Sequence, residues 1–169
     1  MRRRDDGSFV EFVEQRGSAL LRTAQLMCGT RQDAEDALQT ALEKAYRHWG
    51  RLESDVDPEP YVRRILVNLL ISRGRRWRIL REIHMARLPE VPVPAAHHDV
   101  ELRGTLIEEL QLLGPKQRAV LVLRYWEDLS EQETAQLLGC SVGTVKSQAS
   151  RALARLRSRL DANLALQRG

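Results

Sequence analysis

Apolar residues recur along this chain at the three- and four-residue intervals of a helix, from the first stretch to the last. Phe9, Phe12, Val13, Leu20, Leu21, Ala24 and Met27 share one helical face, and Gly29 stands where that run should stop. From Asp33 a second run puts Ala34, Ala37, Leu38, Ala41, Leu42 and Ala45 on one face and ends near Gly50. A third runs from about 60 to 81, with Tyr61, Ile65, Leu66, Leu69 and Leu70 as its apolar face. Asp57 is positioned to cap it, and Pro58 suits a first helical position, where a missing N–H costs nothing. No segment alternates apolar and polar residues between turn signals, so no strand is predicted.

The periodicity fails over 86–100, ARLPEVPVPAAHHDV. Pro89, Pro92 and Pro94 forbid a continuous helix there, so a semi-stiff linker is expected, with His97 and His98 solvated in it. Helical spacing resumes at Glu101 with Leu102, Leu106, Leu110 and Leu113. Gly114-Pro115 opens a further helix carrying Val120, Leu121, Leu123 and Trp126, and two more are expected over 129–139 and from 141 to about 160. The expected fold is therefore all-α. Two small helical domains, 1–85 and 101–169, are joined by the proline-rich linker, and the C-terminal one has four helices.

The last two helices carry recognisable chemistry. Ser130 and Glu133 in SEQE have the spacing of a capping box, and Ser141 can cap the next helix at the amides of Gly143 or Thr144. Two capped helices across the short turn LGCS form a helix-turn-helix, whose second helix enters a DNA major groove by its N-terminal end. Gly143 leaves that end open to close approach, and Thr144 and Ser147 add hydroxyls. Lys146 and Arg151 suit phosphate or guanine, and Gln148 suits adenine.

Charge adds a second contact. The net charge of +4 conceals two stretches without a single acid. Residues 63–81 hold Arg63, Arg64, Arg73, Arg75, Arg76, Arg78 and Arg81; residues 146–159 hold Lys146, Arg151, Arg155, Arg157 and Arg159. Two separate basic faces point to two contacts with a polyanion. Asn68 and Trp77 lie within the first, where Trp77 either stacks on a base or packs against its own domain. The acids gather instead at Asp33, Glu35, Asp36 and Glu43, beside Gln39 and Thr40. Such a face repels DNA and suits a basic protein partner; alternatively, first-turn acids simply complement the helix dipole.

Several classes are excluded. Cys28 and Cys140 fit no CxxC or Cys/His pattern, so both are expected as small buried residues in a reduced protein. No metal ligand set, no cofactor-binding glycine loop and no catalytic constellation is present, so neither a cofactor nor enzymatic activity is expected. MRRRDDGS is followed by no apolar core, and no apolar run approaches the roughly 20 residues of a membrane span. A cytoplasmic protein without membrane insertion is expected.

Three segments, in order, resemble the extracytoplasmic-function (group 4) sigma factors of the sigma-70 family. They are DAEDALQTALEKAYRHW at 33–49, PYVRRILVNLLISRGRRWR at 60–78 and LGPKQRAVLVLRYWEDLSEQETAQLLGCSVGTVKSQASRALARLR at 113–157. The resemblance implies a factor that binds core RNA polymerase and directs promoter-specific initiation through −10 and −35 elements. It implies that Asp33, Glu35, Asp36, Gln39 and Glu43 meet the coiled coil of the polymerase β′ subunit, with the β flap as a further contact. Arg63, Arg64, Asn68, Arg73, Arg75 and Arg76 would lie at the −10 element. Ser141, Val142, Gly143, Thr144, Lys146, Ser147, Gln148 and Arg151 would lie at the −35 element. Core polymerase, promoter DNA and an anti-sigma factor are the implied partners. Many relatives have Arg-Asn where Val67-Asn68 stands, Asp at Ser72 and Arg at Gln148, so the base preferences of this chain are its own. The competing reading is a helix-turn-helix repressor or activator that never joins polymerase; it leaves the acidic helix and the first basic helix unexplained.

Overall fold

The protein is described by a computed structural model that covers residues 5–84 and 98–167. Most of the linker expected at 86–100 lies outside the described residues, His97 among them. Helix α1 spans Asp6–Cys28. The Asp5 carboxylate accepts the Ser8 N–H at 2.9 Å at its start, and Gly29, with φ of 90°, ends it. A side chain at position 29 would be strained by that φ and would also meet Gln111 within 2.9 Å. Helix α2, Arg31–Trp49, starts before Asp33 because Thr30 caps it: the Asp33 N–H reaches the Thr30 hydroxyl at 3.1 Å, and that hydroxyl donates to the Asp33 carboxylate at 2.6 Å. Asp33 alone of the acids expected in the first turn is therefore there.

Helix α3 spans Glu59–His84. Asp57 accepts the Glu59 N–H at 2.9 Å, but the Pro58 carbonyl opens the helical ladder by accepting from Val62, so Pro58 precedes the first helical residue. The second half begins inside the expected linker, with α4 at His98–Gln111. Helix α5, Pro115–Leu121, widens into a π-helical turn over Val122–Trp126, closed by the Glu127 N–H donating to the Val122 carbonyl at 3.0 Å. Asp128 follows in the left-handed region at φ 53°. Helix α6 is Glu131–Leu138, and α7 runs over Val142–Gln167, beyond the expected end near 160.

Packing follows the apolar pattern. Ala34, Ala37, Ala41 and Ala45 are fully buried, and these small side chains bring α2 close against α1 and α3. Trp49, 2% exposed, fills the end of that three-helix core. Helices α5, α6 and α7 pack together around Val120, Ala135, Val145 and Ala149.

The halves do not keep separate cores. Ala119, Val122 and Leu123 of the second half are buried in the same cluster as Leu20, Ala24, Leu66 and Leu70 of the first. Arg118, only 8% exposed, donates to the carbonyls of Leu110, Gln111 and Leu113 and crosses to the Met27 carbonyl of α1. Gln111 donates to the Leu26 carbonyl at 3.2 Å, and a Cβ at Gly74 would lie 3.0 Å from Pro115.

Candidate functional site

Helices α1 and α2 leave a groove of about 630 Å³ between their outer faces. Its floor is apolar, with Phe9, Val10, Leu21, Leu38, Leu42 and Tyr46, and its rim carries Asp6, Glu35, Gln39 and Glu43. Phe9 is set by the aromatic cluster beneath it. Its ring centroid lies 4.9 Å from Tyr46 and 5.0 Å from Trp49, edge to face in the second case, and Trp49 donates to the Ser8 hydroxyl at 2.9 Å. Tyr46 donates to Asp6 at 2.9 Å; that bond, and then the carboxylate charge, push its phenol above the ordinary value. Of the five acidic-helix residues singled out by sequence, Glu35, Gln39 and Glu43 meet on this rim. Asp36 is exposed but points elsewhere, and Asp33 is occupied at the helix cap. Sequence reasoning missed Phe9, Val10 and Tyr46; the signal was a large apolar residue, Val10, falling off the buried face of α1.

The basic face of α3 is narrower than its composition implies. Arg64, Asn68, Ser72 and Arg75 are exposed at helical spacing on one side, with Arg76 beside them. Arg73 is half-buried and donates to Thr40 of α2 at 3.1 Å. Arg63 faces inward, 12% exposed, paired with Glu59 and, at 2.9 Å, with Glu127 of the second half. Trp77 is 59% exposed, so it does not pack into the core of its own half.

The helix-turn-helix forms as its caps dictate. Ser130 and Glu133 make both bonds of a capping box, at 3.1 and 2.7 Å, and Gly139 ends α6 in the left-handed conformation at φ 66°. The Ser130 N–H and hydroxyl hold the Glu133 carboxyl below its usual range. Ser141 accepts the Thr144 N–H at 3.1 Å, choosing the second of the two expected amides. Val145 and Ala149 are buried against α6, which turns Gly143, Thr144, Lys146, Ser147 and Arg151 outward. Ser150, not singled out by sequence, is exposed among them. Val142 is half-buried in the core of this half, and Gln148 is half-buried with its carbonyl oxygen enclosed and without a hydrogen-bond partner. Lys146 approaches Glu131 of α6 at 3.6 Å, an exposed pair worth little by itself.

Both cysteines are half-buried rather than buried. Burial pushes the Cys28 thiol up to about 11, which keeps it protonated and unreactive at neutral pH. Among the described residues no cluster of His, Cys, Asp and Glu is arranged to hold a metal, and no helix is long and apolar enough to cross a membrane.

An acid-rimmed apolar groove, an exposed basic helix and a capped helix-turn-helix thus occur in one chain. Residues 12–79 match the family Sigma-70 region 2, and residues 103–156 match Sigma-70, region 4. The chain is 44% identical over 154 residues to the RNA polymerase sigma-E factor of Streptomyces coelicolor, covering 90% of this chain and 85% of that one. It belongs to the extracytoplasmic-function RNA polymerase sigma factors. A second relative, the ECF RNA polymerase sigma factor SigM of Mycobacterium tuberculosis, is 35% identical over 90% of this chain and 76% of its own. Among solved structures, the sigma factor RpoE of Bartonella quintana, in complex with the anti-sigma factor NepR, superposes with a TM-score of 0.71. That match is 26% identical and covers 91% of this chain and 97% of that one. The sigma factor SigJ of Mycobacterium tuberculosis shares the fold, with a TM-score of 0.64 at 21% identity over 94% of this chain and 59% of its own. The sigma factor described here is therefore all-helical, with a region 2 match on α1–α3 and a region 4 match on α4–α7.

Proposed function

We propose that this sigma factor delivers core RNA polymerase to promoters by a grip at two points, each served by its own half. The observation that carries the division is that the acid-rimmed groove and the two basic faces lie on separate elements of one chain. The groove between α1 and α2 is the docking site for polymerase: its floor takes an apolar ridge, while Glu35, Gln39 and Glu43 select a partner with basic side chains. The face of α3 carrying Arg64, Asn68, Arg75 and Arg76 holds the −10 element, where guanidinium groups neutralise phosphates and exposed Trp77 offers a surface for an unstacked base. The N-terminal end of α7 reads the −35 element in the major groove through Thr144, Lys146 and Ser147, with Arg151 one turn on to neutralise a backbone phosphate. The chain contributes no catalysis of its own and acts in the cytoplasm, where polymerase and genome meet. That the Bartonella relative is held by an anti-sigma factor supports a protein inhibitor as a second partner here.

Neither point binds tightly alone; polymerase supplies the frame that makes the second contact nearly intramolecular. The test is a variant carrying Glu35→Ala and Glu43→Ala. Both residues are exposed, so melting should not change, while affinity for core polymerase should fall about tenfold, or about 1.4 kcal/mol. Unchanged affinity for core would remove the groove from the polymerase interface.

A further inference from the structure

Several cations of this chain that face a neighbouring element are answered there by an acid: Arg16 by Glu59, Arg63 by Glu127, Lys146 by Glu131 and Arg159 by Glu109. Three others meet without one. Arg75 of α3, Lys116 of α5 and Arg155 of α7 line a single cleft of about 640 Å³, and no carboxylate is among its walls. All three are exposed. Gly74 lets α5 come close beside Arg75, since a Cβ there would lie 3.0 Å from Pro115.

Like charges brought together from three helices repel one another, and a polyanion in the cleft relieves that repulsion. The walls say which kind. Two guanidinium forks suit the paired oxygens of a phosphate group, and Lys116 adds a point charge. Gln117 accepts from Arg155 through its amide oxygen at 3.4 Å, which leaves its amide nitrogen as a further donor. Ile79, exposed one turn after Arg75, and Pro115 give the cleft an apolar side. Inorganic phosphate has nothing to set against that side and fills little of the space, whereas a volume of this size suits a ligand of nucleotide dimensions.

We propose that this cleft is a binding site for a nucleoside polyphosphate, with the phosphates held by Arg75, Lys116 and Arg155 and the nucleoside resting on Ile79 and Pro115. The site is concave and walled by three helices, so it does not admit duplex DNA, which meets the convex faces of α3 and α7. With the site filled, Arg75 is engaged, and α3 of the free factor offers one fewer cation to the −10 element. That consequence, though not the binding itself, rests on the assignment of α3 to the −10 element.

The experiment titrates the full chain by calorimetry at low ionic strength with ATP, GTP, AMP, inorganic triphosphate and a short single-stranded oligonucleotide. One nucleoside triphosphate should bind per chain, and AMP and inorganic triphosphate should each bind about tenfold more weakly or worse. Lys116→Gln and Arg155→Gln should each weaken triphosphate binding about tenfold. Arg157→Gln, at an exposed position of α7 outside the cleft, should leave it unchanged. All three positions are exposed, and circular dichroism checks that each variant is folded. No binding of ATP or GTP at about 1 mM would overturn the proposal. So would equal losses in all three variants, which mark a diffuse effect of charge. Tighter binding of the oligonucleotide at the same residues would give the cleft to nucleic acid instead, and inorganic triphosphate binding as tightly as ATP and GTP would remove the nucleoside from the site; either result overturns the proposal. Promoter binding by the chain with core polymerase, measured without nucleotide, tests the sigma-factor reading separately. Its failure would leave the calorimetric result standing.

Discussion

Gln148 and Arg151 stand one helical turn apart on α7, yet the structure gives them different surroundings. Arg151 is exposed, whereas the Gln148 carbonyl oxygen is enclosed and cannot face a base edge without rotating out. Gln148→Ala should leave the −35 sequence preference of the polymerase holoenzyme unchanged in a selection from randomised promoters. Arg151→Ala should weaken binding across all sequences and reduce the salt slope of binding by about one. A changed base preference in the first variant would show that Gln148 reads DNA. Glu133 offers a pH test at the same scale. Its pKa is lowered in the folded chain, so its contribution is present above the unfolded value and lost as pH falls through the folded one. Amide protection at the start of α6, measured against the intrinsic exchange rate at each pH, should fall on acidification into that window, and Ser130→Ala should produce the same loss of protection at neutral pH, with a stability loss of about 1 kcal/mol. Protection independent of pH there would contradict the capping role.

At the scale of elements, each helix answers to its apolar stripe and its cap. Trp49 joins α1 to α2 through Ser8, Phe9 and Phe12, so Trp49→Ala should destabilise the protein by about 3–5 kcal/mol in chemical denaturation and open the groove floor beneath Phe9. A loss below about 1 kcal/mol would mean that the aromatic cluster does not hold the groove. The stripes of α1, α2 and α3 were legible in sequence because their spacing is local, as were the capping box at Ser130 and the cap at Ser141. The start of α2 moved because Thr30, three residues before Asp33, caps it. The π-helical turn at Val122–Trp126 was not legible, since its extra residue per turn leaves no mark in a short apolar run. Nor was the inward turn of Arg63, whose partner Glu127 lies far along the chain and at no helical interval. The same reason hid the groove floor. Glu35, Gln39 and Glu43 share one helix, whereas Phe9 and Val10 join Leu38 and Leu42 only after α1 and α2 have packed.

Over the whole molecule, periodicity implied two bodies on a tether, and the structure joins them through Arg118 and a shared core. The 13 residues between His84 and His98 can reach about 45 Å when extended. A factor that recognises two DNA elements with polymerase as its frame accounts for the acidic-rimmed groove as well as both basic faces, which a repressor with one helix-turn-helix does not. In vitro transcription on fragmented genomic DNA, with core polymerase and this chain, tests that claim most directly when start sites are mapped. The account predicts starts that require both components and share two sequence elements at constant spacing upstream. Starts that do not depend on the chain, together with tight sequence-specific duplex binding by the chain alone, would contradict it.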